Sequence, residues 1–530
     1  LPELPLVQPE KVVTLPLDIN LNKDYQYEYA GREKVSGYDC YVLEFKPVDP
    51  TRALYQGRIW IETRTFARVK MSIVQNGLAP PITSNDDRDF YEPISGPDGT
   101  TYWLLSRVEG QQIYSTAGRN LVLLREIDLR DFFINDPQFE GQRRSAYASD
   151  NRILRDTEKG FRYLDKSDSG ERVVRDATTQ STLFGVAGIF SQPGFDFPVP
   201  LVGVNYFSYG FKGREMQVNA FVAGALNTFT LTNPRTFGKR IDTTVEVLSL
   251  LPNITDRPLV GDEKRDGSNI DVRTQSLSAS LGLPLGNFFR LKATYGVEYA
   301  NHSRDKETDP AFLVPVDTFI HSGWLEGEFN RSGWTVSASA ESARRASWEP
   351  WGDATAPSAG TLAVVPAAAC DTPGSCLADY EDGSGSFRKY ELSVSKQFFL
   401  PLFQKIRFEG IWHAGSDLDR FSEFQFSYFG SRVRGFSGSG VRFDRGGIGR
   451  LQYSFNVADV IRFDASFDHG YVRDGLTSEE YRNFTGFGLS GNLMGPWETV
   501  LQFDLGFALR SDIEDLKGDK ELLIGLLKLF

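Results

Sequence analysis

From Phe289 to Tyr299 apolar and polar residues alternate without a break. Phe289, Leu291, Ala293, Tyr295, Val297 and Tyr299 fall on one side, and Arg290, Lys292, Thr294, Gly296 and Glu298 on the other. A two-residue period is that of a β-strand, whose successive side chains point to opposite faces. About ten such residues cross a bilayer when the strand is tilted. The pattern recurs after position 200: Ile241, Thr243, Val245 and Val247 against Asp242, Thr244 and Glu246; Leu277, Ala279, Leu281 and Leu283 against serines and Gly282; Trp334, Val336, Ala338 and Ala340 against Thr335, Ser337, Ser339 and Glu341; and Leu501, Phe503, Leu505, Phe507 and Leu509 against Gln502, Asp504, Gly506, Ala508 and Arg510. A soluble β-sandwich also alternates, but it buries one face in a shared core and seldom carries charge along so many inward positions.

A spanning helix needs roughly 18 to 20 uninterrupted apolar residues, and the longest approach to this is the short run Leu522 to Leu529. Mean hydropathy is -0.31. Membrane strands give such near-neutral averages because lipid-facing and lumen-facing residues alternate. The connections point the same way. Tight ones (Pro284-Leu-Gly-Asn, Asn330-Arg-Ser-Gly, Leu400-Pro-Leu-Phe-Gln, Gly495-Pro-Trp) alternate with long polar ones near 252–271, 301–319, 346–385 and 415–446. Short turns on one rim and long loops on the other characterise bacterial outer-membrane barrels. We count about 14 spanning strands, with two more expected between 180 and 232, and an even total.

The expected organisation is therefore all-β. An extended arm, 1–24, carries Pro2, Pro5, Pro9 and Pro16; a periplasmic antiparallel domain occupies 25–135; a linker or plug follows over 136–200; and a 14–16-stranded transmembrane antiparallel barrel fills 201–530. Within 25–135 the clearest hairpin joins Gly57-Arg-Ile-Trp-Ile-Glu to Phe66-Ala-Arg-Val-Lys-Met-Ser-Ile. The first residue is Leu1, with no signal peptide ahead of it, which suggests a processed or partial chain.

Function classes narrow by chemistry. A net charge of -12 without a basic run argues against nucleic acid as a partner. The sequence holds no HExxH, CxxC pair, Walker loop or GxSxG, and His302, His321, His413 and His469 are scattered, so no enzyme, cofactor or metal site is expected. The carboxylate pairs Asp86-Asp87 and Glu479-Glu480 read as solvated loops. Cys370 and Cys376 flank a turn-forming Asp-Thr-Pro-Gly-Ser and suit a local disulfide in an oxidising compartment; Cys40 reads as a buried strand residue.

One long loop carries Gly430-Ser-Arg-Val-Arg-Gly-Phe-Ser-Gly-Ser-Gly, followed by Asp444-Arg-Gly-Gly and the strands Arg450-Leu-Gln-Tyr-Ser-Phe and Ile461-Arg-Phe-Asp-Ala-Ser-Phe-Asp-His-Gly. This resembles the barrel superfamily of BamA, TamA and the two-partner-secretion transporters. The resemblance implies that Val433, Arg434, Gly435 and Phe436 form the tip of a loop folded back into the lumen, and that Arg434 meets an acidic residue downstream. If Ile461, Phe463, Ala465 and Phe467 face lipid, Asp464 and Asp468 face inward, and Asp468 is available to Arg434. Ser466 stands where the family places an aromatic residue. The closing Phe530 resembles the family's insertion signal. The 25–135 meander is similar to the half-barrels of LolA and LolB, which shelter an acyl chain, while no repeated βααβ docking module is present.

These resemblances imply a non-enzymatic outer-membrane barrel for protein or lipoprotein translocation or assembly, in contact with outer-membrane lipid and a lipoprotein or unfolded-protein client. Two other readings stay open: an anchor subunit that binds partners in an envelope complex, and a diffusion pore.

Overall fold

The computed structural model describes residues 23–529 except 53, 79–81, 117–118, 150–152, 158–159, 168, 175–180, 212–215, 261–262, 265, 354–384, 403, 429, 458–460, 475–479 and 496–498. Cys370, Cys376, Phe530 and the arm 1–22 lie outside the described residues. The chain divides into two compact units, Leu1–Thr182 and Leu183–Phe530.

In the first unit seven strands form an antiparallel sheet in sequence order: β1 (Tyr25–Val35), β2 (Tyr38–Pro47), β3 (Tyr55–Glu62), β4 (Arg68–Gln75), β5 (Ile82–Ser95), β6 (Thr101–Thr116) and β7 (Arg119–Asp128). The β3–β4 hairpin depends on Gly57, because a Cβ there would sit 1.9 Å from the Ser72 carbonyl oxygen. Its apolar residues join two clusters, one of Tyr25, Phe45, Tyr55, Ile59, Met71 and Ile73, the other of Cys40, Val42, Trp60 and Val69.

Strand β5 was not expected. Its Ser-Asn-Asp-Asp-Arg-Asp run looks like solvated loop, yet Asp86, Asp87 and Asp89 are buried in it. Asp87 is accommodated by its cross-strand partner Gly110, where a Cβ would lie 2.1 Å from the carboxylate. Its charge is met by Arg125 on β7 at 2.6 Å. The segment 136–200 contains a helix, α1 (Phe139–Ala148), with no buried residue, and a three-stranded sheet of β8 (Ile153–Thr157), β9 (Gly160–Lys166) and β10 (Arg172–Val174).

The second unit is a closed antiparallel barrel of sixteen strands. They are β11 (Ser181–Ser191), β12 (Val199–Ser208), β13 (Gln217–Gly224), β14 (Leu226–Asn233), β15 (Asp242–Leu250), β16 (Ile270–Leu285), β17 (Phe289–Arg304), β18 (Thr318–Arg331), β19 (Trp334–Arg345), β20 (Ser386–Leu400), β21 (Gln404–Ser416), β22 (Arg445–Asn456), β23 (Ile461–Arg473), β24 (Tyr481–Gly495), β25 (Thr499–Ser511) and β26 (Lys520–Leu529). A short continuation of β15, Ile254–Asp256, also pairs with β16. Strand β11 closes the cylinder against β26, from Phe184 opposite Leu529 to Ser191 opposite Leu522. The barrel thus begins ahead of the boundary expected at 201. Gly185, Gly188 and Pro200 interrupt the alternation there, which is why β11 and the start of β12 read as irregular chain.

The alternation becomes an inside-out distribution. Leu277, Leu281, Leu291, Tyr295 and Leu325 are exposed on the outer surface, while Arg290, Thr294, His302 and Asn330 are buried on the inner faces of the same wall. An oily exterior around a polar interior requires hydrocarbon as its outer solvent.

Two predictions follow from these placements. Burial pushes Asp87 up to about 7 against the pull of Arg125, and Asp89 up to about 6 for the same reason. An aspartate in the unfolded chain titrates near about 3.9, so the folded sheet binds protons that the unfolded chain has released. Its stability is then greatest below about 3.9 and falls as pH rises from there through 6 and 7. Hydrogen exchange of β4–β6 in the full chain should show greater protection at the acidic end of this window, and Asp87→Asn should flatten the dependence; an unchanged slope would contradict the assignment. On the barrel, Leu325→Arg should cost ~2–4 kcal/mol in bilayer unfolding if it lies near the midplane, against little for the inward Glu326→Gln.

Candidate functional site: the loop between β21 and β22

Residues 417–444 join β21 to β22, and their arginines are paired with acids on distant strands. At the start of the loop Asp419 accepts backbone N–H bonds from Phe421 (3.2 Å) and Ser422 (3.0 Å), which tightens the first turn. It also receives both Nη atoms of Arg345, from β19, at 2.8 Å. That guanidinium lies over the Trp348 ring at 4.0 Å. Asp256, beyond β15, takes Arg420 Nε at 2.7 Å and also pairs with Arg442, while Arg420 Nη2 donates to the Ser268 carbonyl at 2.8 Å.

The middle of the loop is held by the closing strands. Arg432 grips Asp504 of β25 with both Nη atoms, at 2.8 and 2.9 Å, and its Nε reaches Glu521 of β26 at 2.7 Å. The Tyr428 ring stacks on it at 4.0 Å. Arg434 Nη1 donates to Asp468 of β23 at 2.8 and 3.0 Å, and its backbone N–H donates to the same carboxylate at 3.1 Å. Arg450 of β22 adds a fourth contact, Nε to Asp468 at 2.9 Å, and its other nitrogens reach Glu409 and the Arg432 carbonyl, each at 2.7 Å. Asp468 is wholly buried and Arg434 is 8% exposed. With its oxygens taken up by these donors, Asp468 is built to hold cations in place.

Apolar packing seals the same region. Val433 and Phe436 are fully buried with Phe426 and Phe443 from the loop and Ile448, Val472 and Phe484 from the strands. Glycines make the close approach possible. Gly435 has φ of 86°, and a Cβ on it would lie 2.0 Å from the Ala508 amide nitrogen. On β24, a Cβ at Gly486 would fall 1.9 Å from the Arg434 carbonyl oxygen, and one at Gly488 would fall 1.9 Å from Arg434 Cδ. Arg434 therefore lies in a track that only glycine leaves open.

Of the candidates from sequence, Val433, Arg434, Gly435, Phe436 and Asp468 come together here. Asp464 does not join them, because it is turned to its own neighbours, Ser454 and Arg462 (3.0 Å). Ser466 is buried on the same face of β23 as Asp464 and Asp468. Sequence reasoning missed the Arg432 and Arg420/Arg442 contacts. The available signal was Asp504, an acid at an inward position of β25. Among the described residues no group of three or more His, Cys, Asp or Glu is arranged to hold a metal ion.

A valine at Gly488 would displace the Arg434 side chain as surely as deleting its charge. Gly488→Val should therefore lower the temperature at which the barrel loses its compact electrophoretic migration, while valine at the outward-facing neighbour Phe487 should leave it nearly unchanged; equal behaviour of the two variants would contradict the track.

Comparison with known proteins gives likenesses of fold. Residues 5–77 match the model of the MucB/RseB N-terminal domain. No curated protein matches the chain by sequence. Among solved structures the chain resembles CdiB from Escherichia coli (14% identity, 72% of this chain and 67% of that one, TM-score 0.44). It also resembles BamA from Haemophilus ducreyi lacking POTRA domains 1–3 (9%, 84% and 90%, TM-score 0.42) and CdiB from Acinetobacter baumannii (10%, 76% and 70%, TM-score 0.39).

Proposed function

We propose that this chain is a non-enzymatic outer-membrane barrel that translocates or assembles proteins or lipoproteins, with loop 417–444 folded into its lumen and the N-terminal sheet receiving clients in the periplasm. The observation that carries the reading is the buried Arg434–Asp468 contact. The loop's cations meet carboxylates as far apart around the cylinder as Asp256, Asp468 and Glu521. A segment lying across the bore would reach all three, which supports the lumenal reading. A bore braced in this way suits regulated passage or assembly better than free diffusion. The even strand number returns both ends of the barrel to one rim, and the tight turns on that rim support a periplasmic placement.

The physical role of the loop follows from its charges. A guanidinium withdrawn from water is tolerated only against a carboxylate in good geometry, and removing one partner leaves a buried charge exposed to the full desolvation cost. Arg434→Ala leaves Asp468 with Arg450 as its remaining cation and should therefore destabilise the barrel by ~1–3 kcal/mol, seen as earlier loss of heat-modifiable migration, faster proteolysis of the loop and reduced client export. Unchanged migration, proteolysis and export would overturn the reading. Purification of the intact chain from its native membrane separates the neighbouring possibility: stoichiometric co-purifying subunits would favour an anchor role, and transient clients favour the one proposed.

A further inference from the structure

The outer wall of the barrel is notched across β19 to β23. Outward positions there carry the exposed Phe398, Phe408, Leu451 and Phe467. One row along, between Val394 and His469, Gly410 and Gly449 stand opposite each other in the β21–β22 ladder and contribute no side chain. A Cβ at Gly410 would meet nothing within 4 Å, and one at Gly449 only the His469 carbonyl oxygen at 4.0 Å. The pair forms the floor of an apolar groove of about 790 Å³. The groove runs from Trp334 and Lys396 at one end to Phe467 at the other, across five neighbouring strands. At ~4.8 Å per strand its length is ~19 Å. One leaflet is half of a ~30 Å hydrocarbon core, so the groove has the reach of a single acyl chain.

The charge at one end selects the kind of lipid. The Lys396 ammonium lies 5.2 Å from the Trp334 ring and 5.3 Å from the Phe398 ring, and donates to the Ser332 carbonyl at 2.5 Å in the tight turn between β18 and β19. A lysine on a lipid-facing wall lays its stem along apolar surface and keeps its charge at the interface. Interfacial tryptophan belongs at the same depth. A cation at the mouth of an oily channel complements an anionic head group joined to an acyl chain.

We propose that this groove binds one anionic phospholipid, with an acyl chain over Gly410 and Gly449 and the phosphate at Lys396. The proposal rests on the membrane-spanning reading of the barrel, and the test separates the two. The full chain is purified in mild detergent, exposed to phosphatidylglycerol or phosphatidylcholine, and weighed intact by native mass spectrometry. The wild type should retain one phosphatidylglycerol with about a five-fold preference over phosphatidylcholine, the size of one lysine's attraction to an anionic surface. Gly410→Leu with Gly449→Leu, which fills open space without touching the ladder, should abolish the adduct. Lys396→Gln should keep an adduct but level the preference. Equal retention by wild type and the leucine variant, or a second copy of the chain in place of lipid, would overturn the groove assignment. Heat-modifiable migration of the same samples reports the barrel separately: a groove failure leaves it intact, whereas its absence from the wild type would count against the membrane-spanning reading itself.

Discussion

Arginine withdrawn from water must be neutralised where it lies, and much of the second unit follows from that requirement. Arg420, Arg432, Arg434 and Arg442 sit on one loop and are nearly inaccessible, so each needs a carboxylate brought to it by a strand. Asp256, Asp468, Asp504 and Glu521 fill those places. The two-nitrogen fork of Arg432 on Asp504 fixes direction as well as charge, and at Arg434 the backbone N–H and Nη1 together do the same on Asp468. The loop is then specified by several strands at once, and the strands share its cations. The extended apolar contacts of Val433 and Phe436 exclude water from the same ion pairs and so make their loss more costly.

Glycine serves opposite purposes on the two sides of this wall. Facing inward, Gly486 and Gly488 admit the backbone and side chain of Arg434. Facing outward, Gly410 and Gly449 leave a hollow with nothing of the protein in it. The first kind is explained by close approach. Among the described residues nothing packs into the second kind, and the surrounding aromatic rings with Lys396 at the edge are the features from which a lipid site is proposed.

The barrel was legible because lipid and lumen impose a two-residue period that survives averaging, as in Phe289–Tyr299. Where glycine and proline break the period, in β11 and β12, further strands could be expected between 180 and 232 but their bounds could not be read. Arg434 and Asp468 could be singled out from a motif and a strand phase. The contacts of Arg432 with Asp504 and Glu521 span 72 and 89 residues, a separation at which local pattern carries no pairing information. Strand β5 was hidden for a different reason. Its acids are written in the vocabulary of a loop, and only Gly110 and Arg125, on neighbouring strands, reveal how Asp87 is held in the sheet. Burial raises the carboxyls of Asp87 and Asp89 toward neutrality and so makes this sheet sensitive to pH.

The most direct test of the account is a double-mutant cycle on the ion pair that joins loop to wall. Arg434→Met, Asp468→Leu and the double variant are compared with the unaltered chain by equilibrium unfolding in lipid. The account predicts that the two changes are not additive, with the double variant more stable than the sum of the singles implies by ~1–3 kcal/mol. Strict additivity would mean that the two side chains do not hold each other, and the loop would have to be placed elsewhere.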